Sequence, residues 1–158
     1  MKPALTRRQR IIDLICMILC LAALINALIQ YPMLPEQLTI LNLGSGRILS
    51  SNRKSSIFLL LGIMLLMTGS LSVVLRSGSF YRRNKYPWPI PYGRMPLVVS
   101  AKKEAFCFSN LLAAIGNVYL LHAWIVGNLA AWIFCMPYIL MLAVLLLYLL
   151  RIRRICLS

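Results

Sequence analysis

The chain has 158 residues, 61% of them hydrophobic, and sets 17 Lys and Arg against only 3 Asp and Glu, for a net charge of +14. A soluble domain is about half apolar; here the surplus is gathered into four blocks, each near the roughly 20 residues that cross a bilayer. The basic residues flank those blocks instead of striping a soluble surface, which argues against a nucleic-acid-binding domain and for contact with anionic lipid headgroups.

Four basic residues lie within Met1–Arg10, and the first apolar block follows over 11–30. It is longer than the apolar core of a secretory signal and three more blocks follow it, so it reads as an uncleaved first span. An outer loop covers 31–55. The second span covers 56–75 and carries Gly62 and Gly69 on one face, a signal of close helix packing. A loop over 76–104 contains Tyr86-Pro-Trp-Pro-Ile-Pro-Tyr92. Its alternating prolines forbid a helix and favour an extended path, while Tyr86, Trp88 and Tyr92 suit the headgroup layer. The third span covers 105–126 and the fourth 129–150, with Pro137 expected to kink the latter. Gly127-Asn128 leaves room only for a tight antiparallel hairpin between them.

With the N-terminus inside, 14 of the 17 Lys and Arg fall in the inner segments and 3 in the outer loop. This bias orients the chain with both ends in the cytoplasm. Tyr31, Trp124, Trp132 and Tyr148 fall near span ends, where amphipathic rings anchor. The sequence therefore predicts an all-α protein: an integral membrane four-helix bundle, N-in and C-in, forming a single membrane domain with an ordered external loop between its first two helices. The expected location is the plasma (inner) membrane of a bacterium.

Polar groups within spans are the first candidates for chemistry, because each costs free energy in lipid. They are Asp13, Asn110, Asn117 and His122. Asp13 lies near the N-terminus of its helix, where it suits the helix dipole and can pair with Arg8 or Arg10; a proton or ion relay is the alternative. Asn110, Ala113, Ala114 and Asn117 follow helical spacing and mark a packing seam. His122 lies off that face with no nearby acid, which makes it a poor metal or acid–base group. Cys16, Cys20, Cys107, Cys135 and Cys156 show no zinc-like spacing and none falls in the outer loop, so they read as packing residues. No nucleophile–base pair, carboxylate pair or metal cluster is legible, so no enzyme and no cofactor is expected.

The outer loop carries the most patterned motif: Tyr31-Pro-Met-Leu-Pro35, then Glu36-Gln-Leu38, then Asn42-Leu-Gly-Ser-Gly46, then Lys54. It resembles the signature of the domain of unknown function 1648 family, whose members carry LP-x-x-I-P-x-H-F-N-x-x-G after a first helix and a Lys that opens the second. Leu34, Pro35, Leu38, Ser45, Gly46 and Lys54 fall in register with it, and Asn42 and Gly44 complete the motif here. Pro96-Leu-Val-Val-Ser100 is similar to the family's P-x-x-x-T element. The family's His corresponds to Leu41, its second Pro to Thr39 and its following Phe-Asn to Asn42-Leu43, and the acidic residue after its Gly is absent here. The resemblance implies the four-span order and a link to the membrane part of SdpI-type immunity and signalling proteins.

The sequence thus predicts a non-enzymatic membrane protein with a binding or accessory role through the 31–55 loop. Its partners would be the lipid bilayer and a membrane protein or second copy, not nucleic acid. The alternatives are a transport or channel component using the intramembrane polar residues, and a toxin-immunity or sensor protein of the SdpI type.

Overall fold

Each of the four apolar blocks folds as a long helix, and each helix is long and apolar enough to cross a membrane. The computed structural model describes residues 5–42, 48–77, 89–91 and 93–157. Gly44, Ser45 and Gly46 of the outer motif, and Tyr86, Pro87, Trp88 and Tyr92 of the inner loop, lie outside these residues.

Helix α1 spans Arg7–Gln30. Thr6 opens it with a capping box: the Gln9 amide donates to Thr6 Oγ1 at 3.3 Å, and the Thr6 amide donates to Gln9 Oε1 at 3.0 Å. Two amides that have no partner inside the helix are satisfied in this way. The helix gives way to a 3-10 turn over Tyr31–Met33, at whose second position Pro32 contributes no N–H. Helix α2 spans Ser56–Arg76.

Helix α3 spans Met95–Val126, so it begins well before the expected 105. Pro96 sits in its first turn, where a missing N–H costs nothing. The Pro96–Ser100 element therefore belongs to the helix, not to the loop ahead of it. At 32 residues α3 is about 48 Å long, more than the about 30 Å that an apolar bilayer core would require. Helix α4 spans Ala131–Leu157, continuous through Pro137 and past the expected end at 150.

The outer loop holds the principal addition to the expected fold. Strands β1, Gln37–Asn42, and β2, Ile48–Arg53, form an antiparallel hairpin, with Gln37 opposite Arg53 and a bulge between Ile40 and Leu41. The turn between α3 and α4 also joins the sheet. Its strand β3, Asn128–Leu129, runs parallel to β1, with Leu41 opposite Asn128. The sheet order is β2-β1-β3. Gln37-Leu38-Thr39-Ile40 alternates polar and apolar as a half-buried strand does, a period hidden between the nearby Pro and Gly residues.

Packing is unequal. Helix α3 touches α1, α2 and α4, whereas α4 packs chiefly on α3. On α1 the buried residues are Gln9, Asp13, Cys16, Cys20, Ala23 and Ala27, a narrow seam at alternating spacings of four and three. On α2 they are Ile57, Leu61, Met64, Thr68, Ser72 and Leu75. The outer half of this contact is a continuous apolar cluster that includes Ala23, Ala27, Ile57, Leu61, Met64 and Leu121. The inner half is polar. The glycines expected to mark close packing, Gly62 and Gly69, have nothing within 4 Å of an added Cβ. The tight approach lies elsewhere, at Gly116, where a Cβ would stand 3.0 Å from the Tyr138 ring. Gly116 lets α4 come close enough for the Tyr138 hydroxyl to donate to Asn117 Oδ1 at 3.1 Å.

Gly127 closes α3 with φ 75 and its amide donating to the Ala123 carbonyl, and a Cβ there would meet the Thr39 carbonyl of β1 at 3.1 Å. Gly127→Ala should therefore cost more than the about 1–2 kcal/mol of left-handed backbone strain alone. Gly93→Ala, at φ 91 in open space, should incur the strain without the clash. Thermal unfolding in detergent should place the Gly127 variant below the Gly93 variant.

Candidate functional site

Two places gather polar residues: the inner half of the helix contact and the outer cap. The inner one begins with Asp13, only 3% exposed. A carboxylate so placed must be paired. Arg8 and Arg10 were the expected partners, but Arg10 Nε donates to the Leu5 carbonyl at 3.2 Å and the pair is made across the bundle. Antiparallel packing carries the C-terminal end of α2 to the N-terminal end of α1. Arg76 Nη2 meets Asp13 Oδ2 at 2.6 Å, and Ser72 Oγ donates to Asp13 Oδ1 at 2.5 Å. Both carboxylate oxygens are thus occupied from α2. Farther along the same contact the Cys20 thiol lies 3.5 Å from Thr68 Oγ1. Toward α3, the Cys107 thiol lies 3.9 Å from the Gln9 carbonyl.

Helix α3 adds a polar stripe. Lys103, Asn110 and Asn117 recur every seven residues and so share one face. Lys103 and Asn110 are buried, and Asn117 Nδ2 reaches Met67 Sδ of α2 at 3.8 Å. Both amide atoms of Asn110, along with Gln9 Nε2 and Ser109 Oγ, have no hydrogen-bond partner among the described residues. His122 is on the exposed surface of α3, apart from this stripe. The four polar residues expected within spans therefore do not converge. Asp13 is bound to α2, Asn110 is enclosed, Asn117 bridges α2 and α4, and His122 faces outward.

The outer cap is built from the loop motif. Leu34 and Leu38, at 9% and 3% exposure, enter the apolar cluster and close the outer end of the bundle. These motif residues are therefore core anchors. Pro35 and Glu36 lie outside at the start of the hairpin. Glu36 and Lys54 clamp its base twice: the Lys54 amide donates to the Glu36 carbonyl at 3.0 Å, and Lys54 Nζ meets Glu36 Oε1 at 2.7 Å. Lys54 Nζ also stands 5.5 Å above the Tyr31 ring, which packs on Phe58 at 4.7 Å. The hydrogen bond to Glu36 holds the Lys54 ammonium above the usual lysine range. The backbone of Asn42 ends β1 against Leu129, whereas Gly44, Ser45 and Gly46 fall outside the described residues.

Comparison with protein-family models, with curated proteins and with solved structures finds no match to this chain. The resemblance described above rests on the outer-loop residues and on Pro96–Ser100 at the start of α3. Among the described residues no group of three or more His, Cys, Asp or Glu is placed to hold a metal, and the cysteines are free thiols. Sequence reasoning missed Ser72, Arg76 and Lys103. The signal was present, since Ser72 and Arg76 follow the α2 seam and only three carboxylates exist to be paired.

Arg76→Ala should cost about 2 kcal/mol or more, because it strands a buried carboxylate. Asp13→Asn should cost about 1 kcal/mol, because it removes the charge and keeps a partner for Ser72. The double variant should be more stable than Arg76→Ala alone, read as unfolding midpoints in detergent. At the cap, Lys54 titrates higher when folded, so its contribution is complete below the ordinary lysine range and lost only as pH rises through the raised value. Intrinsic-rate-corrected exchange of the Lys54 amide should be flat from about pH 6 to about pH 9.

Proposed function

We propose that this protein is a non-enzymatic multi-pass protein of the plasma (inner) membrane with both termini cytoplasmic, and that its outer cap holds a binding surface for another membrane or envelope protein. The orientation is supported by the excess of Lys and Arg at the end of the bundle where α1 begins and α4 finishes. The binding role is carried by one observation. The outer loop is a folded hairpin held at three points: by Leu34 and Leu38 in the core, by the Glu36–Lys54 clamp, and by pairing with β3. A connecting segment needs no such anchoring, whereas a recognition surface gains from a preorganised backbone. Met33, 87% exposed, stands beside the cap, and β2 has no second strand neighbour among the described residues.

A photo-crosslinker at Met33 or Arg53, in whole cells, should give a discrete protein adduct that weakens when Glu36→Lys opens the clamp. The same group at lipid-facing Leu66 should not. Adducts from the cap no different from those at Leu66 would overturn the reading.

A second reading, a transport component, draws on Asn110, whose buried amide lacks a partner among the described residues and lies between Lys103 and Asn117 on one stripe. Such groups in membranes commonly serve passage of ions or protons. Asn110→Leu should abolish flux in proteoliposomes under this reading. Under the first it should only raise stability.

A further inference from the structure

We infer that the inner end of α4 is a binding site for the phosphate of an anionic phospholipid headgroup. The argument starts from charge. The chain has three acidic side chains, and each is committed to one cation: Asp13 to Arg76, Glu36 to Lys54, and Glu104 to Arg151 at 2.9 Å. No acidic side chain of the chain remains for Arg153 and Arg154, two adjacent exposed arginines in the last turns of α4. Among the described residues no acidic side chain pairs with them, so both guanidiniums are open to an external anion.

The local shape says what supplies it. Leu150, Arg153, Arg154 and Leu157 line a shallow groove. Their spacing places them on one face of α4. The opposite face meets α3 through Tyr148 and Arg151, both bound to Glu104. The groove therefore faces away from the bundle, toward lipid. Leu150 lies about one turn deeper than the arginines and meets the first acyl carbons, while two planar guanidiniums present forked donors to a phosphate. The carbonyl ends of a helix repel anions, and here that repulsion is reduced because Arg94 Nη1 donates to the Ile155 carbonyl at 2.9 Å. That contact also holds the α4 terminus to the start of α3, so the groove is fixed in place.

The site rests on the proposed insertion of the four helices, not on which leaflet their inner ends meet. Its test is native mass spectrometry of the full chain in mild detergent, titrated with phosphatidylglycerol or phosphatidylcholine. Wild type should bind one phosphatidylglycerol tightly and phosphatidylcholine at least about tenfold more weakly. Arg153→Gln/Arg154→Gln should lose about tenfold in phosphatidylglycerol affinity. Arg7→Gln/Arg8→Gln, an equal charge change at the same end, should lose little. Arg153→Lys/Arg154→Lys should retain part of the affinity, because it keeps charge but not the fork. Circular dichroism confirms that each variant is folded. Equal loss in the two glutamine variants would reduce the site to diffuse charge and overturn the inference. So would unchanged binding in Arg153→Gln/Arg154→Gln, or displacement by inorganic phosphate. Failure of wild type to retain phosphatidylglycerol would overturn it as well, whereas failure of insertion would be read separately, as loss of the chain from the membrane fraction.

Discussion

A carboxylate buried inside an apolar helical bundle cannot be left alone, and in this chain that constraint falls on Asp13. Its two oxygens take Ser72 and Arg76, both from α2. The register between α1 and α2 follows: a slip of either helix by one turn would move the partners by about 5.4 Å and leave the charge unanswered. Asp13 adds less to net stability than to the choice among packings, because desolvating it offsets much of the gain from pairing it. The polar half of the seam, from Asp13 to Thr68, selects one arrangement; the apolar half, from Met64 to Ile57, supplies most of the burial.

The opposite end of the bundle is fixed by different physics. Leu34 and Leu38 fill the space between the outer helix ends, and the hairpin that carries Leu38 pairs with the turn between α3 and α4. Every backbone group of such a loop needs a partner or water, and strand pairing supplies one. β1 is the link: it is covalently tied to α1, hydrogen-bonded to β2 ahead of α2, and hydrogen-bonded to β3 between α3 and α4. All four helices are therefore tied together outside the apolar region, although α4 packs chiefly on α3 within it.

Scarcity of acid shapes the rest. Each of three carboxylates joins two elements or closes one: α1 to α2, the base of the hairpin, and α3 to α4. With so few anions each pair has little competition from other carboxylates. The same shortage of acid makes the internal ion pairs unambiguous.

Hydropathy alone was enough to mark four long apolar helices, because such runs stand out from the polar segments between them. It also marked Asp13, Asn110 and Asn117 as unusual, since polar groups in such runs are costly. The resemblance in the outer loop pointed to Leu34, Leu38 and Lys54, yet left the role of these residues open. Only the tertiary structure decided those roles. That Asp13 pairs with Arg76 and not Arg10, that Gly116 and not Gly62 or Gly69 marks a close approach, and that Asn128 continues a sheet begun at Gln37 are facts about residues far apart in the chain. Local spacing reports the face on which a residue lies. Which element meets that face depends on how the helices pack, and that is decided by the sum of many contacts.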